Sequence, residues 1–303
     1  MKFLRTAASA VRRAIRVSAR AVAGLLAIPT IATLLAVQRV VGAVTGNYKT
    51  IPNMVYGILR GLFGYKVEFN AASAPIVKDK SVMFLANHLS GADAFVVGGA
   101  LDGSFVARDD ALRVPVVRQA LWAINTIGVR RKPEFNGQAL GKIVKNFNDG
   151  YNTIMFPEGV TSDGKQVMMF HAGLLKFLFN GKAVDRKNRP IELKKDVVVQ
   201  PVAIRVKEVS GHDAINNDKL RNLYSLPGRD TFNRILKRAQ TKSMTLELTV
   251  FPPLDPKDFK DAKELATRAA KDIASVVNPG QTDFEKGHIP GYSPEKPQKP
   301  AIA

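Results

Sequence analysis

SVMFLANHLSGADAFVVGGAL, residues 81–101, decides how the chain reads. SVMFLA (81–86) is a short, nearly continuous apolar run, the pattern of a strand buried on both faces. NHLSGAD (87–93) is polar and contains Gly91, the composition of a turn, and AFVVGGAL (94–101) has the texture of a helix. A buried strand followed by a turn and a helix places the turn at the carboxyl edge of a sheet, where open α/β folds bind ligands. His88 and Asp93 are five residues apart, so on a regular helix they would diverge by about 140°. They meet only if Ser90 and Gly91 form the turn and Asp93 stands near the helix start. The carboxylate then accepts a hydrogen bond from one imidazole N–H, fixes the tautomer and leaves the other nitrogen as a base. Such a pair, lacking a third member, acts on a nucleophile that the substrate brings, such as a hydroxyl. The plainer alternative is a structural histidine beside a turn.

Outward from this stretch the same texture repeats. SFVA (104–107), NTIGV (125–129), NTIMF (152–156), DVVVQPVAIRV (196–206) and MTLELTVF (244–251) read as strands. PVVRQALWA (115–123), NGQALGKIVKNFN (136–148) and MMFHAGLLKFLF (168–179) read as helices, and KDFKDAKELATRAAKDIASVV (257–277) as an amphipathic closing helix after the turn PPLDP. The alternation predicts an α/β domain over 67–277, with a largely parallel central sheet flanked by helices. The polar stretch 207–243 carries no clear assignment. From Asn278 onward five prolines stand among polar residues, which predicts a disordered tail over 278–303.

The chain of 303 residues carries 45 Lys and Arg against 26 Asp and Glu, a net charge of +19. Ten of the basic residues fall in residues 1–67, which hold no acid, since the first carboxylate is Glu68. A basic surface of this kind suits a polyanion, either nucleic acid or an anionic membrane, and the greasiness of the segment favours the membrane. AVAGLLAIPTIATLLAVQ (21–38) runs without a charge for about 27 Å if helical, the short limit for a membrane span. Pro29 interrupts it and basic residues flank both sides, so a span and a kinked helix or hairpin dipping into one leaflet both fit; a cleaved leader or transit peptide is the competing account. IPNMVYGILRGLFGY (51–65) reads as an interfacial helix. Residues 1–66 are therefore expected to be helical and membrane-anchoring.

The second stretch that carries chemistry is NTIMFPEGVTSDG (152–164): a strand stopped by Pro157, with Glu158 and Gly159 at the turn and Thr161 and Ser162 as hydroxyl donors. Taken alone it is a tight turn with a solvated carboxylate. Taken with NHLSGAD, seventy residues earlier, it resembles the glycerolipid acyltransferase family, the 1-acylglycerol-3-phosphate acyltransferases and their relatives. That family carries an Asn-His-x4-Asp block and a Phe-Pro-Glu-Gly-Thr-x-Ser block. FVARDDALRVPVVRQALWAINTIGVRR (105–131) is similar to the family's middle block, with Arg108 and Arg130 at its basic positions, and VVVQPVAIRV (197–206) to its last. The resemblance covers residues 67–254.

The resemblance implies that His88 and Asp93 are catalytic and that Asn87, Arg108, Arg130, Glu158, Gly159, Thr161 and Ser162 bind substrate. It implies transfer of a fatty acyl chain from acyl-CoA or acyl carrier protein to a lysolipid hydroxyl, with 1-acylglycerol-3-phosphate as the acceptor and phosphatidic acid as the product. The alternatives are another lysolipid, such as a lyso-aminolipid or lysophospholipid, and a non-catalytic basic membrane tether. One departure bears on the choice: many members read Glu-Gly-Thr-Arg, whereas this chain reads Glu158-Gly159-Val160-Thr161, without that bidentate phosphate clamp. The implied location is a bacterial inner membrane with the catalytic domain on the cytoplasmic side.

Other chemistries find no motif. The chain has no Cys for a thiolate nucleophile or ligand, its four His are scattered, and HExxH, G-x-S-x-G, GxxxxGK[ST] and GxGxxG do not occur. No metal, no further cofactor and no nucleic-acid partner is expected. The apolar run 168–179 is either core or one wall of an acyl groove, with His171 as a packing residue.

Overall fold

A computed structural model describes residues 2–108, 124–129, 136–185, 187–225 and 238–285. The strands in chain order are β1 (Tyr65–Phe69), β2 (Ser81–Ala86), β3 (Ser104–Arg108), β4 (Ile127–Val129), β5 (Thr153–Met155), β6 (Lys182–Val184), β7 (Pro190–Glu192), β8 (Val197–Val209), β9 (His212–Asp213) and β10 (Met244–Val250). The helices are α1 (Lys2–Thr45), α2 (Thr50–Phe63), α3 (Asp93–Gly98), α4 (Asn136–Asn148), α5 (Phe177–Asn180), α6 (Asp218–Arg221) and α7 (Ala262–Val277). The main sheet runs β1-β10-β8-β2-β5-β3-β4, with β9 paired to β8 and β6–β7 a separate ribbon. Every pair along that path is parallel except β10 with β8.

The apolar run of β2 is continuous because both of its faces are covered, as expected of a central parallel strand. Val82, Phe84 and Ala86 point into one core with α3 and β10, while Met83 and Leu85 point into the other with α4 and α7. Burial of side chains of the Phe84 and Leu85 class stabilises by about 1.5–3 kcal/mol each. β2 pairs with β8 on one side and β5 on the other, so the turns after β2 and β5 emerge side by side at the carboxyl edge.

Several sequence expectations change. α1 is one continuous helix with Pro29 inside it, neither a hairpin nor a break at that point. At 1.5 Å per residue its 44 residues extend about 66 Å. Its Val22, Leu25, Leu26, Ile28, Val37 and Val40 are exposed, and the helix is long and apolar enough to cross a membrane. α2 lies not only on a surface: it buries Val55 and Tyr56, and Tyr56 meets Phe105 edge-on. The run 168–179 is not one helix, because 168–171 is irregular and a 3-10 turn at Ala172–Leu175 precedes α5. Phe170, Leu175 and Phe177 lie in the core, which favours packing over an acyl groove. The closing helix starts at Ala262, capped by Asp261 accepting from the N–H groups of Lys263 and Glu264. Residues 278–285 are not a free tail: Gln281 bonds both the N–H and the carbonyl of Val167, and Met169 donates to the Glu285 carbonyl. The expected helix 115–123 and the remaining tail fall outside the described residues.

α1 is fixed to the domain at its middle. The Arg20 guanidinium donates to the carbonyls of Ala239, Thr241 and Lys242 at 2.8, 2.7 and 3.1 Å. Gly64 closes α2 at φ 69°, and a Cβ there would lie 2.6 Å from the Arg20 side chain and 2.9 Å from the Lys242 carbonyl. Only glycine satisfies both that conformation and that approach.

Candidate active site

The chain turns out of β2 into residues 87–92, and Asp93 opens α3. The turn brings the two side chains together: His88 Nδ1 lies 2.8 Å from Asp93 Oδ2. The same Oδ2 accepts the backbone N–H groups of Leu89 and Ser90 at 2.7 and 2.9 Å, while Oδ1 accepts the Tyr224 hydroxyl at 2.7 Å. With both oxygens already accepting from donors, the carboxylate also accepts from His88 Nδ1–H, which leaves Nε2 as the basic nitrogen. Asp93 is fully buried, whereas the His88 side chain keeps 21 % of its surface open. The imidazole stacks on Phe156 at 4.4 Å between centroids and 16° between planes, which restricts rotation of the ring.

The turn after β5 supports the first from beneath. Glu158 is fully buried; its Oε2 accepts the His88 N–H at 3.2 Å and its Oε1 the Met168 N–H at 3.1 Å. Burial pushes its carboxyl up to about 8, against those two N–H donors, which favour the charged form. Ser162 donates its N–H to the His88 carbonyl at 2.8 Å. His88 is thus gripped through both its N–H and its carbonyl by the neighbouring loop. Gly159 takes φ 69° with the His171 ring beside it, where a Cβ would come within 3.4 Å.

The residues read from sequence separate into different tasks. His88, Asp93, Glu158, Gly159, Thr161 and Ser162 gather at the paired turns. Asn87 is engaged by backbone: its amide donates to the Ile204 carbonyl at 3.1 Å and accepts the Ile204 N–H at 2.7 Å, tying the end of β2 to β8. Glu158 is likewise engaged by backbone, each of its oxygens accepting one N–H group. Arg108 ends β3, with its side chain outside the described residues, as is Arg130. His171 is exposed beside Gly159 and is not a packed core residue. Among the described residues no three His, Asp or Glu side chains gather as a metal site.

Sequence reasoning missed Tyr224 and Arg238, both in the stretch left unassigned. Tyr224 is wholly buried, and burial holds its hydroxyl well above the usual tyrosine range, so it stays a donor to Asp93. Arg238 donates to the Tyr224 and Leu223 carbonyls and to Ser90 Oγ, the last at 3.0 Å, with its guanidinium 5.2 Å from the Tyr224 ring centroid. No spacing announces a tyrosine that reaches its partner across 131 residues.

Residues 68–205 match the protein family described as Acyltransferase. The lyso-ornithine lipid O-acyltransferase of Rhodobacter capsulatus is 25 % identical over 191 residues, 63 % of this chain and 64 % of that protein. The Brucella abortus protein of the same description is 26 % identical over 186 residues, 60 % and 64 % of the two chains. The chain thus spans about 64 % of the length of these relatives. The crystal structure of the 1-acyl-sn-glycerophosphate acyltransferase PlsC from Thermotoga maritima superposes with a TM-score of 0.56 at 20 % identity, covering 88 % of this chain and 96 % of that one, a likeness of fold. The matched region holds both turns, so the sequence matches and the shared fold together support the resemblance of this chain to the glycerolipid acyltransferase family.

Proposed function

We propose that the protein is a membrane-bound O-acyltransferase that moves a fatty acyl chain from acyl-CoA or acyl carrier protein to the hydroxyl of a lysolipid. The observation that carries this reading is the His88–Asp93 pair: a buried, fully hydrogen-bonded carboxylate behind an imidazole with an open edge. His88 Nε2 takes the proton of the acceptor hydroxyl as its oxygen attacks the thioester carbonyl. The C–S bond breaks, and the thiolate leaves with the proton returned by the imidazolium. Asp93 keeps the tautomer and stabilises the positive ring. No step requires a covalent enzyme intermediate, so the missing cysteine is no obstacle.

We place a lyso-aminolipid, of the lyso-ornithine lipid kind, ahead of 1-acylglycerol-3-phosphate as acceptor. Two observations support that choice: the relatives' descriptions, and Val160-Thr161 where the family's phosphate-holding Arg is expected. Membrane attachment is supported by the exposed apolar length of α1, and a cytoplasmic-side placement by the ten basic residues ahead of the first acid. The test is acyl transfer by membranes containing the protein, offered a labelled thioester with lyso-ornithine lipid, lysophosphatidic acid, glycerol phosphate and lysophospholipids in turn. Product chiefly on lyso-ornithine lipid is expected. Faster product on lysophosphatidic acid would return the acceptor to the phosphate-bearing class.

A further inference from the structure

The buried Tyr224 hydroxyl and its Arg238 clamp are not explained by packing alone, since a phenylalanine would fill the same space without a polar atom to satisfy. Asp93 Oδ2 is committed to His88 and to two backbone N–H groups, all from its own turn. Oδ1 accepts from Tyr224, which belongs to a segment 131 residues away. We propose that Tyr224 is a positioning residue for the His88–Asp93 pair, holding the carboxylate by its second oxygen, with Arg238 fixing Tyr224 in turn.

Three features fit this role. The hydroxyl is aimed at the carboxylate and cannot turn to water, because Tyr224 is wholly buried. Arg238 bridges the two ends of the arrangement, bonding the Tyr224 carbonyl on one side and Ser90 Oγ on the other, so tyrosine and catalytic turn move together. Arg20 of α1 in turn bonds the carbonyls of Arg238, Ala239, Thr241 and Lys242, which holds the Arg238 backbone against the domain. The titratable groups facing this cluster are His88 and Glu158 beside Asp93, and Tyr65 and Arg238 beside Tyr224.

The inference rests on the acyl-transfer reading above, and its consequence is kinetic. Without the hydroxyl, the carboxylate has one donor fewer and binds the imidazolium more strongly, so His88 becomes a free base only at higher pH. Its orientation also loosens, which lowers kcat without touching substrate contacts.

The full-length protein, its Tyr224→Phe and His88→Ala variants, and a form with 3-fluorotyrosine placed at position 224 would be compared for kcat, for KM with palmitoyl-CoA and lyso-ornithine lipid, and for thermal melting. Tyr224→Phe is expected to lose about ten- to a hundredfold in kcat, the range for one hydrogen bond to a charged group. KM for both substrates should stay the same, and the acid limb of kcat/KM should move to higher pH. Fluorotyrosine, a stronger donor of the same shape, should move that limb to lower pH even if the phenylalanine variant melts early. Wild-type kcat and pH profile in both forms, or a loss confined to KM, would overturn the role of Tyr224 while an inactive His88→Ala leaves the acyl-transfer reading standing. Activity retained in His88→Ala would instead remove the reading on which the inference rests.

Discussion

The turns after β2 and β5 emerge from neighbouring parallel strands at one sheet edge, and both carry a carboxylate and a glycine, yet they do opposite things. In the first, residues 87–93, the buried carboxylate faces a side chain, and the imidazole it holds reaches the open. In the second, residues 156–164, the buried carboxylate is held by backbone: Glu158 receives the N–H groups of His88 and Met168. The difference teaches that a polar strand-end motif can carry the reaction or carry the loop that carries it. The partner of the carboxylate, more than the motif, decides which.

The largest effect that would break this division is expected at Asp93. Asp93→Asn keeps the shape but removes the charge and favours the wrong tautomer, so transfer per folded molecule should fall about a thousandfold or more in an initial-rate assay. A small loss there would mean that the first turn, like the second, is only scaffold.

Glu158 sharpens the contrast through stability. Its folded carboxyl titrates at about 8 against an ordinary 4.5, so between those values the folded chain holds a proton that the unfolded chain releases. The stabilisation is present below pH 4.5 and is lost as pH rises through 8, by up to about 1.4 kcal/mol per pH unit. Denaturant titrations at pH 5 and pH 8 should show this slope in the wild type and a flatter one in Glu158→Gln. Equal slopes would mean the two backbone N–H groups keep Glu158 ionised throughout.

The smallest expected effect is at Asn87. Asn87→Ala removes both bonds to Ile204 and should cost about 1–3 kcal/mol of stability, visible in melting, while each folded molecule keeps most of its activity. Full stability with abolished transfer would put Asn87 in contact with substrate after all.

The central strands were legible because a strand covered on both faces must be apolar along its whole length, and β2 and α4 fall on the residues that the pattern marks. The His88–Asp93 contact was legible because a turn was the one geometry that joins residues five apart. The run 168–179 misled because helix and irregular core share the same apolar density, and only the backbone distinguishes Phe170 from Phe177. The tasks of Asn87 and Glu158 were hidden for a different reason: their partners are backbone atoms, which every residue has and no letter records. Tyr224 and Arg238 were hidden by distance along the chain, because the contacts that give them a role exist only once β8 and β10 have closed the sheet.

The most direct test of the account is single-turnover acyl transfer to lyso-ornithine lipid by His88→Ala beside the wild type, with membrane fractionation and thermal melting of both. Transfer lost by about a thousandfold, with melting and membrane binding unchanged, is the predicted result. Transfer at the wild-type rate in the folded, membrane-bound variant would contradict the assignment of His88 as the base.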